Sequence, residues 1–119
     1  HERNARREKH AQRAIRMAET GLARVEGSWP GKGQTGAAFR DPAHPYAEDL
    51  DLFGAGSLFE LVSTARTEAG EARLAAWLLE PAPRDEALAR QEAIRELTPR
   101  AELREEFALL GEEIRAALH

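Results

Sequence analysis

The sequence predicts an all-α fold: a small helical bundle with two long terminal helices, two or three shorter helices and a long connector rich in Gly and Pro. Three observations predict it. Apolar residues recur in alternating steps of four and three near both ends of the chain. Helix-capping and helix-stopping residues divide the region after residue 56 into short segments. Glycine and proline are concentrated between residues 27 and 56, which disfavours regular structure there.

The totals set the scale of the protein. Its 119 residues give room for one modest domain, and we expect a single helical domain over residues 1–119. Because position 1 is His rather than Met, we expect the chain to be a piece of a longer protein. Cysteine is absent, which excludes disulfides, thiolate nucleophiles and cysteine-based zinc sites and fits an intracellular protein. The apolar runs are too short to span a bilayer.

The first predicted helix covers residues 3–26. Its apolar stripe consists of Ala11, Ile15, Ala18, Leu22 and Val25. Residues 1–26 hold seven basic and four acidic side chains, although the whole chain has a net charge of -4. This basic surface could bind phosphate or an anionic membrane, and a solvated helix face is the favoured structural alternative. Its members are Arg3, Arg6, Arg7, Lys9, Arg13 and Arg16.

The predicted connector, residues 27–56, holds too many large side chains for a free linker, so we expect it to pack along the helices. They are Trp29, Phe39, Tyr46, Leu50, Leu52 and Phe53. Gly31 and Gly36 have the separation found in a phosphate-binding loop. However, Ala37 and Ala38 stand where such a loop needs Lys and then Ser or Thr. We therefore interpret this segment as a flexible turn.

Four side chains in the connector could together bind a divalent ion or supply a general acid and base. They are His44, Glu48, Asp49 and Asp51. No known ligand spacing applies, and acidic residues before a helix commonly cap it or complement its dipole. The structural interpretation is favoured, and a small metal-dependent hydrolase is the weakest alternative.

A short helix is predicted after the connector, because Ser57 and Glu60 fit a capping box. Its expected buried stripe is Leu58, Leu61, Val62 and Ala65. Thr67 is expected to cap the next helix, and Gly70 to allow a close approach of helices.

That next helix carries Leu74, Trp77 and Leu78 on one side, so we expect Trp77 to pack in the core rather than to form an exposed recognition anchor. Pro81 and Pro83 are expected to stop it.

Two further helices complete the prediction. Asp85 is expected to cap the first, and Thr98 and Pro99 to supply the cap and first-turn proline of the second. The first has a partly polar face of Ala87, Arg90, Gln91, Ile94 and Leu97, and the second an apolar stripe of Leu103, Phe107, Leu110, Ile114 and Ala117. Because that stripe repeats the spacing of the first helix, an antiparallel pair of terminal helices is favoured. Gly111 predicts fraying or a bend.

The segment from Ser57 to Leu97 carries a family resemblance, over about a third of the chain. In order, the residues are Ser57, Leu58, Thr64, Thr67, Gly70, Leu74, Trp77, Leu78, Pro81, Arg90, Ile94 and Leu97. This order resembles the start of the helical core or lever domain (domain III) of MutS-type mismatch-repair ATPases, so residues 57–119 are interpreted as MutS core-like helices. The connector resembles a divergent branch of that family, some of whose members carry membrane segments elsewhere.

The resemblance implies a noncatalytic domain that links an ATPase domain of the same protein to DNA or partner engagement. It implies no cofactor or metal for this segment, ATP and Mg²⁺ for the parent protein, and a homodimer of that parent as an open alternative. A cytoplasmic location is implied, with membrane association of the parent left open. The structural motif residues are Ser57, Glu60, Thr67, Gly70, Trp77, Pro81, Arg90 and Gln91. Arg90 is expected in an ion pair or helix-end contact, with contact of Arg90 and Gln91 to nucleic acid or a neighbouring domain as the alternative.

Two family elements do not occur in the sequence. There is no Walker motif, and no Phe is followed by Glu two residues later, so mismatch recognition is not carried over. An alternative from another class stays open: a stand-alone helical interaction module whose basic N-terminal helix binds an acidic partner, nucleic acid or a membrane surface.

Overall fold

The computed structural model describes residues 2–118, and all regular structure in that range is helical. Five α-helices follow one another: α1 (Glu2–Glu26), α2 (Leu58–Val62), α3 (Glu68–Leu79), α4 (Arg84–Leu97) and α5 (Ala101–Leu118). A 3-10 turn, Ala37–Phe39, lies within the connector. The predicted all-α bundle is therefore confirmed. Among residues 2–118, each helix is too short or too polar to span a lipid bilayer.

The chain divides into two compact units, His1–Ser63 and Thr64–His119. The first contains α1, the connector and α2, and the second contains α3, α4 and α5. The predicted single-domain organisation stays a prediction. So does the pairing of the two terminal helices, since they belong to different units.

Helix α1 has the predicted extent but not the predicted buried face. It ends where Gly27 adopts a left-handed conformation with φ 81° and the amide of Ser28 donates to the carbonyl oxygen of Ala23 at 2.9 Å. The expected stripe is exposed, and Val25 is 84% exposed. The half-buried residues lie on another face because Arg24, not the stripe, contacts α2. They are Arg13, Ala14, Met17, Gly21, Ala23 and Arg24.

Three phenylalanine rings form the centre of the first unit. The ring centroids of Phe39, Phe53 and Phe59 lie 5.7 to 5.9 Å apart, a normal spacing for packed aromatic rings. Phe59 is completely buried, and Leu52 and Phe53 are nearly so. The connector is therefore packed, as predicted, although Leu50 is exposed.

The expected buried stripe of α2 is wrong. Leu58, Leu61 and Val62 are exposed, whereas Phe59 and Glu60 are buried. The connector covers the side of this short helix that carries Phe59, so the core forms there and the leucines face outward.

Helix α3 begins and ends as predicted. The Oγ1 of Thr67 accepts a hydrogen bond from the amide of Gly70 at 3.1 Å, and the helix ends at Leu79, before Pro81. Gly70 serves this cap rather than a helix contact, because a Cβ there would lie 3.2 Å from Oγ1 of Thr67 and 3.4 Å from Cβ of Ala65. The buried residue of α3 is Ala75, with Leu74 and Leu78 half-buried.

The starts of α4 and α5 differ from the prediction. Pro83 occupies the N-cap of α4, and Asp85 lies in the first turn, where its charge complements the helix dipole. Thr98 is the C-cap of α4 and not the N-cap of α5. The guanidinium of Arg104 donates to the carbonyl oxygens of Leu97 and Thr98 at 3.1 and 3.0 Å, which satisfies the end of α4.

The expectation that the apolar residues of α4 and α5 form buried faces is also wrong. Ile94 and Leu97 of α4 are exposed, as are Phe107, Leu110 and Ile114 of α5. Leu109 is the buried residue of α5. The side of α5 that carries Gly111 faces Arg66, at the start of the second unit. A Cβ at Gly111 would lie only 2.8 Å from Cβ of Arg66, so glycine allows this close approach. Helix α5 is continuous through Gly111.

Candidate functional site

The carboxylate of Glu60 ties two parts of the connector to α2. Its Oε1 accepts hydrogen bonds from the amides of Gly31 (2.9 Å) and Gly56 (2.8 Å), and its Oε2 accepts from the amide of Gly33 (2.9 Å). Glu60 is only 3% exposed. Burial by itself raises the pKa of Glu60, but the three backbone hydrogen bonds outweigh burial and lower the pKa below its ordinary value.

The predicted capping box is half correct. The Oγ of Ser57 accepts from the amide of Glu60 at 3.3 Å, so Ser57 is the N-cap of α2. The reciprocal bond from Ser57 to the carboxylate does not form, because the amide of Ser57 donates to the carbonyl oxygen of Gly54 at 3.2 Å. The carboxylate instead accepts from the amides of Gly56, Gly31 and Gly33. The segment interpreted as a flexible turn is therefore anchored at Gly31 and Gly33.

The connector satisfies the remaining amides of the first turn of α2. The amide of Leu58 donates to the carbonyl oxygen of Asp51 at 3.1 Å, and that of Phe59 to the carbonyl oxygen of Leu52 at 3.0 Å. Asp51 has a positive φ of 50°, which is uncommon for a residue with a side chain but tolerated by aspartate. Asp51 thus contributes through its backbone.

The four side chains weighed as metal ligands, His44, Glu48, Asp49 and Asp51, do not form a metal-binding group. Within residues 2–118, no group of three or more His, Cys, Asp or Glu side chains is placed to hold a metal ion. His44 packs edge-on against the ring of Tyr46, with 4.3 Å between centroids, and its Nδ1 accepts from the amide of Tyr46 at 3.3 Å. Glu48 and Asp49 are exposed.

Arg24 secures the other end of α2, a role that no local sequence pattern indicated. Its Nε donates to the carbonyl oxygen of Leu61 at 2.8 Å, and its Nη2 to that of Ser63 at 2.6 Å. A cation at the carbonyl end of a helix also complements the helix dipole. Helix α2 is therefore fixed by Glu60 at its start and by Arg24 at its end.

In the second unit, Arg90 joins α4 to α3. Its Cζ lies 4.2 Å from the ring centroid of Trp77, and its Nη2 forms an ion pair with Glu86 one turn earlier. The predicted ion pair of Arg90 is confirmed. The predicted core position of Trp77 is wrong, since Trp77 is 46% exposed and a guanidinium packs against the indole. Gln91 and Pro81 are exposed.

Two ion pairs connect α5 to the beginning of the second unit. The Nη1 of Arg115 lies 3.8 Å from Oε1 of Glu71, and Nε of Arg66 lies 3.4 Å from Oε1 of Glu112. The second pair lacks hydrogen-bond geometry. Sequence periodicity gave no signal for these pairs because it follows apolar residues only.

The predicted basic surface lies on α1. Arg3, Arg6, Arg7, Lys9 and Arg16 are exposed, and Arg13 is half-buried.

No protein-family model, curated protein or solved structure matches this chain. The resemblance to the MutS family accordingly stays a prediction.

Proposed function

We propose that the chain is a noncatalytic helical core or lever domain of a MutS-like DNA-repair ATPase. In this role it links an ATPase domain outside the chain, which binds ATP and Mg²⁺, to DNA or partner engagement. One observation carries the proposal: several residues that resemble the MutS pattern lie at helix ends or at a contact between two helices. Ser57 and Thr67 cap α2 and α3, and Arg90 connects α4 to Trp77.

Energetic coupling between distant sites can be carried by rigid helices that are linked by packed side chains and ion pairs. In the second unit, a displacement of α4 would reach α3 through Arg90 and Trp77. A displacement of α5 would reach α3 through Arg115 and Glu71. Helix α3, capped by Thr67, would thus combine the movements of both neighbours.

The test uses the full-length protein that contains this chain. We expect ATP hydrolysis that DNA stimulates, and we expect Arg90→Ala to reduce that stimulation roughly two- to thirtyfold, the effect of about 0.5–2 kcal/mol of coupling. The basal rate of hydrolysis should be unchanged. Arg95→Ala is the matched control, because Arg95 is an exposed arginine of the same helix. An unstimulated protein, or full stimulation in the Arg90 variant, would contradict the proposal.

The exposed arginines of α1 favour a second candidate, a helical interaction module that binds an acidic partner, nucleic acid or a membrane surface. Its test is the salt dependence with which the 119-residue chain binds an acidic protein, nucleic acid or an anionic membrane surface. A steep fall of affinity with salt, reduced in a variant with Arg3, Arg6 and Arg7 changed to Ala, would support this candidate. Binding that ignores both salt and these substitutions would exclude it.

A further inference from the structure

The first unit contains a cavity between α1 and the connector, next to the contacts that Arg24 and Glu60 make with the chain. Its volume is about 360 Å³, at the small end of the range of about 300–1,000 Å³ that is usual for small-molecule sites. Its walls include Arg16, Thr20 and Arg24 from one face of α1, Trp29 and Lys32 from the connector, and Glu60 from α2.

Positive charge reaches this cavity from two elements. Arg16 and Lys32 are exposed, and within residues 2–118 neither side chain forms a hydrogen bond or an ion pair. Arg24 adds a third cation, although its Nε and Nη2 already donate to carbonyl oxygens of the chain. The two cations without a partner are therefore the groups available to a ligand.

Two carboxylates also line the cavity, those of Glu19 and Glu60. The carboxylate of Glu60 accepts hydrogen bonds from the amides of Gly31, Gly33 and Gly56, which stabilise its negative charge. Glu19 is exposed, as are Arg16 and Lys32, so solvent screens these three charges alike. The cavity is lined by one more cation than carboxylates, and its two cations without a partner favour an anionic ligand.

The half-buried indole of Trp29 supplies a flat apolar wall beside the cations. Proteins that bind single-stranded nucleic acid combine aromatic side chains, on which bases stack, with cations that contact the phosphates. We propose that this cavity binds a nucleotide, with its phosphate at Arg16 and Lys32 and its base against Trp29. A free nucleotide and one unit of a single strand share this chemistry. The site is independent of the proposed lever function.

The test uses the 119-residue chain with Trp77→Phe, which leaves Trp29 as the single remaining tryptophan of the two in the sequence. Adenosine monophosphate and a short oligothymidylate are titrated separately, and inorganic phosphate serves as the ligand without a base. We expect saturable quenching of Trp29 fluorescence by at least one of the two nucleotide ligands. Inorganic phosphate should bind about tenfold or more weakly, because it lacks the stacked base.

Variants assign the contacts. Arg16→Ala and Lys32→Ala should each weaken binding about tenfold or more, since each removes a charge-assisted hydrogen bond. Both residues are exposed, so the fold should persist, which circular dichroism can verify. Arg7→Ala is the matched control, an exposed arginine of α1 outside the cavity, and should bind as the parent does.

The two titrations distinguish a free nucleotide from a nucleic-acid strand as the ligand. Binding of adenosine monophosphate assigns a free nucleotide, and binding of the oligothymidylate alone assigns a strand. The proposal is overturned if neither ligand binds, if inorganic phosphate binds as tightly as both, or if Arg7→Ala weakens binding as much as Lys32→Ala.

Discussion

The guanidinium of Arg90 lies over the indole ring of Trp77, with 4.2 Å between Cζ and the ring centroid. This contact joins two helices that the sequence shows only as separate segments. It also leaves Trp77 about half exposed. The residue that packs against the indole is therefore the charged Arg90 and not an apolar side chain. The residue pair is therefore a joint between α3 and α4.

A double-mutant cycle measures the interaction energy between Arg90 and Trp77. With Trp77→Leu, Arg90→Gln and the double variant, we expect a coupling energy of about 0.5–1 kcal/mol in the free energy of unfolding, the usual range for an exposed cation–π pair. Urea unfolding followed by circular dichroism supplies the four free energies. Arg95→Gln combined with Trp77→Leu is the control and should show additive effects. Additivity in the Arg90 cycle would mean that the contact contributes nothing.

Replacing Glu60 by Gln should destabilise the first unit. The amide nitrogen that replaces one carboxylate oxygen cannot accept a hydrogen bond, so at least one of the three backbone amides loses its partner. A buried donor without a partner costs about 1–3 kcal/mol in the free energy of unfolding. Glu48→Gln is the matched control, since Glu48 is exposed in the same connector. Equal urea midpoints for the two variants would refute the anchoring role of Glu60.

Glu60 should also make stability depend on acid pH. Its pKa in the folded protein is lowered from 4.5, so the unfolded chain binds more protons as the pH falls. The stabilisation is therefore fully present above the ordinary pKa and is lost as the pH falls through the folded pKa. The gap in free energy of unfolding between the parent chain and Glu60→Gln should narrow in acid. Urea unfolding at several pH values checks this, and a gap that widens in acid would contradict it.

Gly36→Ala should be strongly destabilising. Gly36 has a φ of 69°, and a Cβ there would lie 2.6 Å from Cδ1 of Phe59, a ring that is completely buried. Backbone strain and overpacking together should cost about 2–4 kcal/mol in the free energy of unfolding.

Gly21→Ala is the matched control for that substitution. A Cβ at Gly21 would meet nothing within 4 Å, and Gly21 lies inside α1. Alanine should therefore stabilise the helix by about 0.5–1 kcal/mol. Thermal unfolding of both variants checks the opposite signs, and two variants of equal stability would refute the close packing of Gly36 on Phe59.

Local signals in the sequence predicted the helices well. Periodicity located α1, while Ser57 and Thr67 marked the starts of α2 and α3, because a cap depends on residues only three positions apart. The same rules failed at Thr98, where a hydroxyl and a following proline fit the beginning of α5 but the residue closes α4.

Burial could not be read from the same patterns. Spacing shows which residues share a face but not which face meets the rest of the chain. In α2 that choice was made by the connector, which packs on Phe59, and in α5 by Gly111, which admits Arg66. The contacts of Glu60 with Gly31 and Gly33 span 29 and 27 positions, a separation beyond the reach of any local rule.

We propose that this chain belongs to a MutS-like ATPase, and the sequence of its source gene beyond the codon for His119 tests that proposal most directly. We predict that the continuous reading frame encodes Gly-x-x-x-x-Gly-Lys-Ser/Thr after a predicted strand, the phosphate-binding loop of an ATPase domain. A stop codon soon after His119, or a long reading frame without that motif, would contradict the claim and favour a helical interaction module.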